Sequence, residues 1–115
     1  MNSTGRDLYY QMHAELCQVF TSPKRLEIID LLRDGEKSVQ QLVDLTGIPQ
    51  ANLSQHLAVL RQQKIVVTRR DGTCIYYSIP DLRIAQALDL VRDMLLERLK
   101  ADGRAAKKIE AGLGR

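Results

Sequence analysis

Aromatic and turn-forming residues are scarce in this chain of 115 residues, which has no tryptophan, one phenylalanine, four tyrosines and three prolines. Together with long stretches of Leu, Ala, Gln, Arg and Glu, that scarcity points to a mostly helical protein and away from a sandwich or barrel. Two cysteines without a signal peptide argue against a disulfide scaffold. No apolar run approaches the roughly 18 residues of a membrane span, and residues 1–20 hold no secretory apolar core, so a cytoplasmic protein is expected. A glycine-rich phosphate loop, a nucleophile with a base at a known spacing and a complete metal set are all missing, which leaves an enzyme without support and no cofactor or metal to expect. The most local absence is of acid. Residues 45–70 contain no Asp or Glu, although the chain carries 14.

What is present suits one soluble domain. Apolar residues make up 44% and charged residues 27%, an ordinary globular balance. The length accommodates a single core, placed over residues 1–100, with residues 101–115 expected to fray as a basic tail. A net charge of +3 is only mildly basic, so the distribution of charge matters more than its sum.

Leu8, Tyr9, Met12, Leu16, Val19 and Phe20 recur at helical spacing and mark a first helix. Ser22-Pro23 reads as an N-cap followed by the first helical position of a second, with Leu26, Ile29, Leu31 and Leu32 on its buried side and Gly35 at its end. Ser38 and Gln41 stand at capping-box spacing for a third helix, with Val39, Leu42, Val43 and Leu45 facing inward and Gly47 as the stop. Pro49 is expected at the first position of a fourth helix running to about Gln63, and two helices joined by a short Gly-containing turn are a helix-turn-helix signature. The period then changes. Residues 65–68 and 73–79 are rich in β-branched and aromatic side chains, and Asp71-Gly72 between them predicts a hairpin. Pro80-Asp81 begins a final helix with a stripe of Ile84, Leu88, Val91, Leu95 and Leu99, widened by Ala87, Leu90 and Met94. A stripe that wide predicts a partner helix.

The fourth helix is unusual. At about 100° per residue Leu53, Leu57 and Leu60 cluster, while Ala51, Ser54, Gln55, Ala58 and Gln62 lie across from them with no charge that would dress a solvated face. Small and amide-bearing side chains free of acid suit the major groove, where Gln and Asn pair with adenine and Ser reaches base or phosphate. Arg61, Lys64, Arg69 and Arg70 at the margin can neutralise phosphate. The bland alternative is a helix face packed on another protein element, as in a dimerisation or adaptor module without operator binding. This face and its margin are expected to offer Ala51, Asn52, Ser54, Gln55, Arg61, Lys64, Arg69 and Arg70 to a duplex, with Ser38 at the start of the preceding helix as a further candidate. His56, at the edge of the leucine stripe, reads as structural.

These blocks together resemble a known family. Ser22-Pro23-Lys24-Arg25-Leu26 through Leu32, Ser38 through Leu42, Asn52-Leu53-Ser54-Gln55-His56-Leu57-Ala58-Val59-Leu60, and Asp71-Gly72 through Tyr76-Tyr77-Ser78-Ile79 are similar to the ArsR/SmtB winged-helix repressors over roughly residues 12–99. The resemblance implies a mainly α fold with a two-stranded β-wing in the order ααααββα, and a homodimer joined by first and last helices. It further implies a double-stranded palindromic operator and release by an inducer. By position the resemblance implies base and phosphate contacts from Gln50, Ala51, Ser54 and Gln55, while Pro49 stands where many relatives carry Ser. Positions matching the metal site of the last helix hold Asp81, Arg83, Met94 and Glu97, without imidazole, and the third helix has no cysteine, so neither family metal site is expected. His13 and Cys17 make at most a fragment of one. Cys17 and Cys74 are left as either small hydrophobes or thiols answering a redox or sulfur species, with Cys17 the better-placed switch.

Overall fold

The computed structural model describes residues 4–103 and 106–113. The chain divides into a unit reaching Leu82 and a second starting at Arg83.

The first unit opens with α1, Thr4–Gln18, continued by one 3₁₀ turn, Val19–Thr21. No side chain of α1 is buried, and Leu8, Tyr9 and Met12 of the expected stripe are more than half exposed. α2, Pro23–Leu32, starts as its sequence dictates, with the Ser22 hydroxyl accepting from the Arg25 N–H and Pro23 in the first turn. Its buried side is Ile28, Ile29 and Leu32, whereas Leu26 is exposed. The carbonyl of Leu31 near its end accepts from Lys37 Nζ at 2.9 Å, a cation where the helix is most negative.

A two-residue strand, β1 (Lys37–Ser38), precedes α3 (Val39–Thr46). The capping box is complete: Ser38 Oγ accepts from Gln41 N–H at 3.2 Å, and Gln41 Oε1 accepts from Ser38 N–H at 2.8 Å. Gly47 closes α3 at φ +72°, a left-handed conformation that favours glycine. Ile48, 3% exposed, pins the turn to the core. Of the four residues expected to face inward on α3, only Leu42 is fully buried, and Leu45 is 55% exposed.

α4 covers Gln50–Gln62. Pro49 is its N-cap rather than its first helical residue, and having no side-chain acceptor it leaves the helix without a side-chain cap. The far end is a Schellman turn: Ile65 N–H reaches Leu60 O and Lys64 N–H reaches Arg61 O, both at 2.9 Å. Lys64 takes the left-handed position at φ 60°, where glycine normally sits. Lys64→Gly is therefore expected to raise stability by about 0.5–1 kcal/mol in urea denaturation by removing the Cβ strain, while weakening binding to any duplex if that lysine meets phosphate.

The turn also explains a shifted strand. Ile65 and Val66, expected in the hairpin, instead follow the Schellman turn into the core at 8% and 1% exposure. β2 is Val67–Asp71 and β3 is Cys74–Ser78, paired antiparallel from Val67↔Ser78 to Asp71↔Cys74. Gly72, first residue of the two-residue loop, has φ +63°, the position at which a type II′ hairpin requires positive φ. β1 adds to the other edge of β3 through Lys37↔Tyr77 and Ser38↔Tyr76, giving sheet order β1-β3-β2. The helix-turn-helix and its hairpin thus form the winged arrangement expected, extended by one short strand.

The second unit contains α5, Arg83–Asp102, with Leu90, Val91, Met94 and Leu95 exposed. The segment expected to fray is helical over α6, Ala106–Leu113, where Lys100 Nζ stands 3.6 Å from Glu110 Oε2. Its residues 104, 105, 114 and 115 lie outside the described ones. Among the described residues no helix is long and apolar enough to cross a membrane.

Candidate nucleic-acid interface

Leu53, Leu57 and Leu60, all at 0% exposure, fix the rotation of α4 against the core. Burying each contributes about 1.5–3 kcal/mol, enough to prevent the helix from rolling. The opposite face is thereby committed outward: Gln50, Ala51, Asn52, Ser54, Gln55, Ala58, Arg61 and Gln62 are all exposed. Among the described residues, the side chains of Gln50, Asn52, Ser54 and Gln55 have no intramolecular hydrogen-bond partner, so their donors and acceptors remain available. With no side-chain cap, the first-turn N–H groups of α4 add an electropositive end.

Arg61, Lys64 and Arg70 are exposed and, among the described residues, have no ion-pair partner. Arg69 is different. Its Nε and Nη2 donate to the two carboxylate oxygens of Glu36 at 3.1 and 2.6 Å, and its guanidinium carbon lies 4.7 Å from the centre of the Tyr76 ring. Asp71 Oδ2 is 4.0 Å from Nη1. Neighbouring strand residues leave on opposite faces, so Arg69 crosses the sheet toward Glu36 while Arg70 departs on the other side. The Arg69 guanidinium holds the Glu36 carboxyl below its ordinary value, chiefly through the hydrogen bond. The sequence groups Arg69 with the other three cations, but the fold separates it from them. The acid responsible lies 33 residues away, outside the acid-free segment.

Ser38 also has a committed atom. Its oxygen caps α3, leaving the hydroxyl proton free to donate.

His56 is half-buried and structural in its contacts. Arg25 donates from Nε to Val19 O at 2.7 Å and from Nη2 to Gln18 O at 3.4 Å, and Nη1 stands 3.5 Å from His56 Nδ1. A guanidinium only donates, so Nδ1 is the acceptor and the ring proton belongs on Nε2. Burial, with Arg25 and Lys24 nearby, pushes the His56 imidazole below its ordinary value. Arg25 thus brackets the end of α1 to α4, a role that nothing in its sequence neighbourhood signals.

Cys17 on α1 and Cys74 on β3 are both exposed free thiols, so neither fills the core. Cys17 borders a shallow open depression with Gln11, Ala14, Glu15, Gln18 and Thr21. Among the described residues no group of three His, Cys, Asp or Glu is placed to hold a metal ion.

Comparisons with known proteins follow the same segment. The model of the arsR family of bacterial regulatory proteins matches residues 22–68. An uncharacterized HTH-type transcriptional regulator of Mycobacterium tuberculosis, Rv0081, is 36% identical over 107 residues, covering 84% of this chain and 94% of the relative. Nodulation protein NolR of Rhizobium meliloti is 38% identical over 84 residues, covering 73% and 69%. Among solved structures, the homodimeric winged helix-turn-helix domain Mb0332 of Mycobacterium bovis superposes with a TM-score of 0.78 at 29% identity, covering 87% of this chain and 93% of that one. The transcriptional repressor BigR of Xylella fastidiosa does so with a TM-score of 0.69 at 33% identity, covering 82% and 96%. On this sequence and structural likeness the chain belongs to the ArsR family of bacterial regulatory proteins.

Proposed function

We propose that this protein is a transcriptional repressor that binds a palindromic double-stranded operator as a homodimer and leaves it when an inducer binds. In this reading α4 lies in the major groove: Gln50, Asn52, Ser54 and Gln55 read base edges or adjacent phosphates, and Ala51 and Ala58 permit close approach. Arg61, Lys64 and Arg70 neutralise backbone phosphate, with Ser38 as a neutral donor. The observation that carries the proposal is the outward face of α4, polar, uncharged up to Arg61 and free of internal hydrogen bonds. An adaptor helix of the same fold has no reason to exclude acid from residues 45–70.

Pairing is supported separately by α1 and by α5, each of which leaves large apolar side chains in water: Leu8, Tyr9 and Met12 on one, Leu90, Val91, Met94 and Leu95 on the other. A homodimeric relative has the same domain fold. Two copies related by a two-fold axis present two reading helices, which is why the operator is expected to be palindromic. For the inducer, Cys17 and Cys74 are the accessible thiols through which a redox or sulfur species would act.

The test is a mobility-shift titration of the full chain on DNA upstream of its own gene against unrelated duplex of equal length. A repressor favours the former by three orders of magnitude or more at physiological salt. Equal affinity for both, or none for either, rejects the proposal.

A further inference from the structure

Building on that reading, we infer that Glu36 withholds Arg69 from the DNA backbone, so that each copy's wing engages phosphate through Arg70 alone. The edge of the Arg69 guanidinium formed by Nε and Nη2 is the one that grips an oxyanion in paired fashion, and both atoms already donate to Glu36. A phosphate in the same grip must displace that carboxylate. The remaining nitrogen, Nη1, faces Asp71 at 4.0 Å, and Tyr76 lies against the guanidinium plane. Two carboxylates therefore flank this cation and repel an incoming phosphate, whereas among the described residues Arg70 has no such neighbour.

The consequence is selective. Phosphate contacts raise affinity for every sequence alike, while base contacts raise it only for the operator. Neutralising one wing cation internally lowers generic binding and leaves the reading helix untouched. Glu36 is thus a specificity-determining residue that makes no contact with DNA. The pair is exposed, with side chains 52% and 39% accessible, so a substitution there leaves the core intact.

The experiment is a salt series on an unrelated duplex with the full chain, following fluorescence anisotropy for wild type, E36Q, E36Q/R69Q and R70A, each checked for an unchanged melting temperature. E36Q is expected to bind several-fold tighter at low salt, with a log–log salt dependence steeper by about 0.9 per bound copy. E36Q/R69Q, which replaces a neutral pair by a neutral pair, is expected to keep the wild-type slope, and R70A to lose about 0.9 per copy. An unchanged slope in E36Q, or a loss in E36Q/R69Q equal to that of R70A, overturns the inference. A wild-type chain that binds no duplex overturns the functional reading beneath it instead.

Discussion

Leu57→Ala is expected to cost about 2–5 kcal/mol of folding stability, the range for emptying a close-packed leucine site. Leu57 is at 0% exposure, flanked on the same face by Leu53 and Leu60, where α4 meets α2 and α3. The lost methyl groups leave a cavity that helices held by caps at Ser22 and Ser38 cannot readily close. Against a typical total of about 5–15 kcal/mol for a small domain, one substitution removes a large fraction. Urea denaturation measures it, and Leu45→Ala on α3 is the internal control. Leu45 also looks like a core residue by spacing, but it is 55% exposed and its truncation should change stability by about 0.5 kcal/mol or less. Equal losses at the two positions would contradict the core described above.

The second large effect concerns binding. Gln55→Ala removes an exposed side chain with no hydrogen bond within the subunit, so its stability cost is expected to be small and, under the function proposed above, its effect to fall on DNA. If Gln55 makes the proposed paired amide contact, its loss is expected to weaken operator binding by about 1–3 kcal/mol and to leave unrelated duplex unaffected. Arg70→Ala, by contrast, is expected under the same proposal to weaken all duplexes alike and to lower the salt dependence by about one unit per copy. Titrations of both variants on both duplexes at two salt concentrations separate reading from anchoring. Identical behaviour of the two variants would refute the division of labour between α4 and the wing.

Local chemistry made much of this molecule legible. Ser22-Pro23, the Ser38–Gln41 box and the leucines of α4 each act over a few residues and stand where the sequence places them, whereas the hairpin loop is Gly72-Thr73, one residue beyond the Asp71-Gly72 pair, with Asp71 held in the ladder opposite Cys74. What escaped depends on contacts between distant segments. β1 has two residues, Lys37 and Ser38, with no strand propensity to announce them, and it exists because β3 offers an open edge. Glu36 reaches Arg69, and Arg25 reaches His56, only after the chain has folded back on itself. Lys64 in the left-handed region was hidden because glycine or asparagine would have been the cue. Pro49 at the N-cap, one residue earlier than proline prefers, was hidden for a similar reason: the turn before it is set by Gly47 and the burial of Ile48. The outward face of α4 was readable because hydrophobic periodicity and the lack of acid both pointed the same way.

The opening helix bears on regulation through copy number. α1 has no buried side chain of its own, and under the pairing proposed above it would be covered by the companion molecule and the DNA-competent species would form in proportion to the square of the monomer supply. Halving expression would then cut promoter coverage by more than half, giving a dose threshold that a monomeric binder lacks.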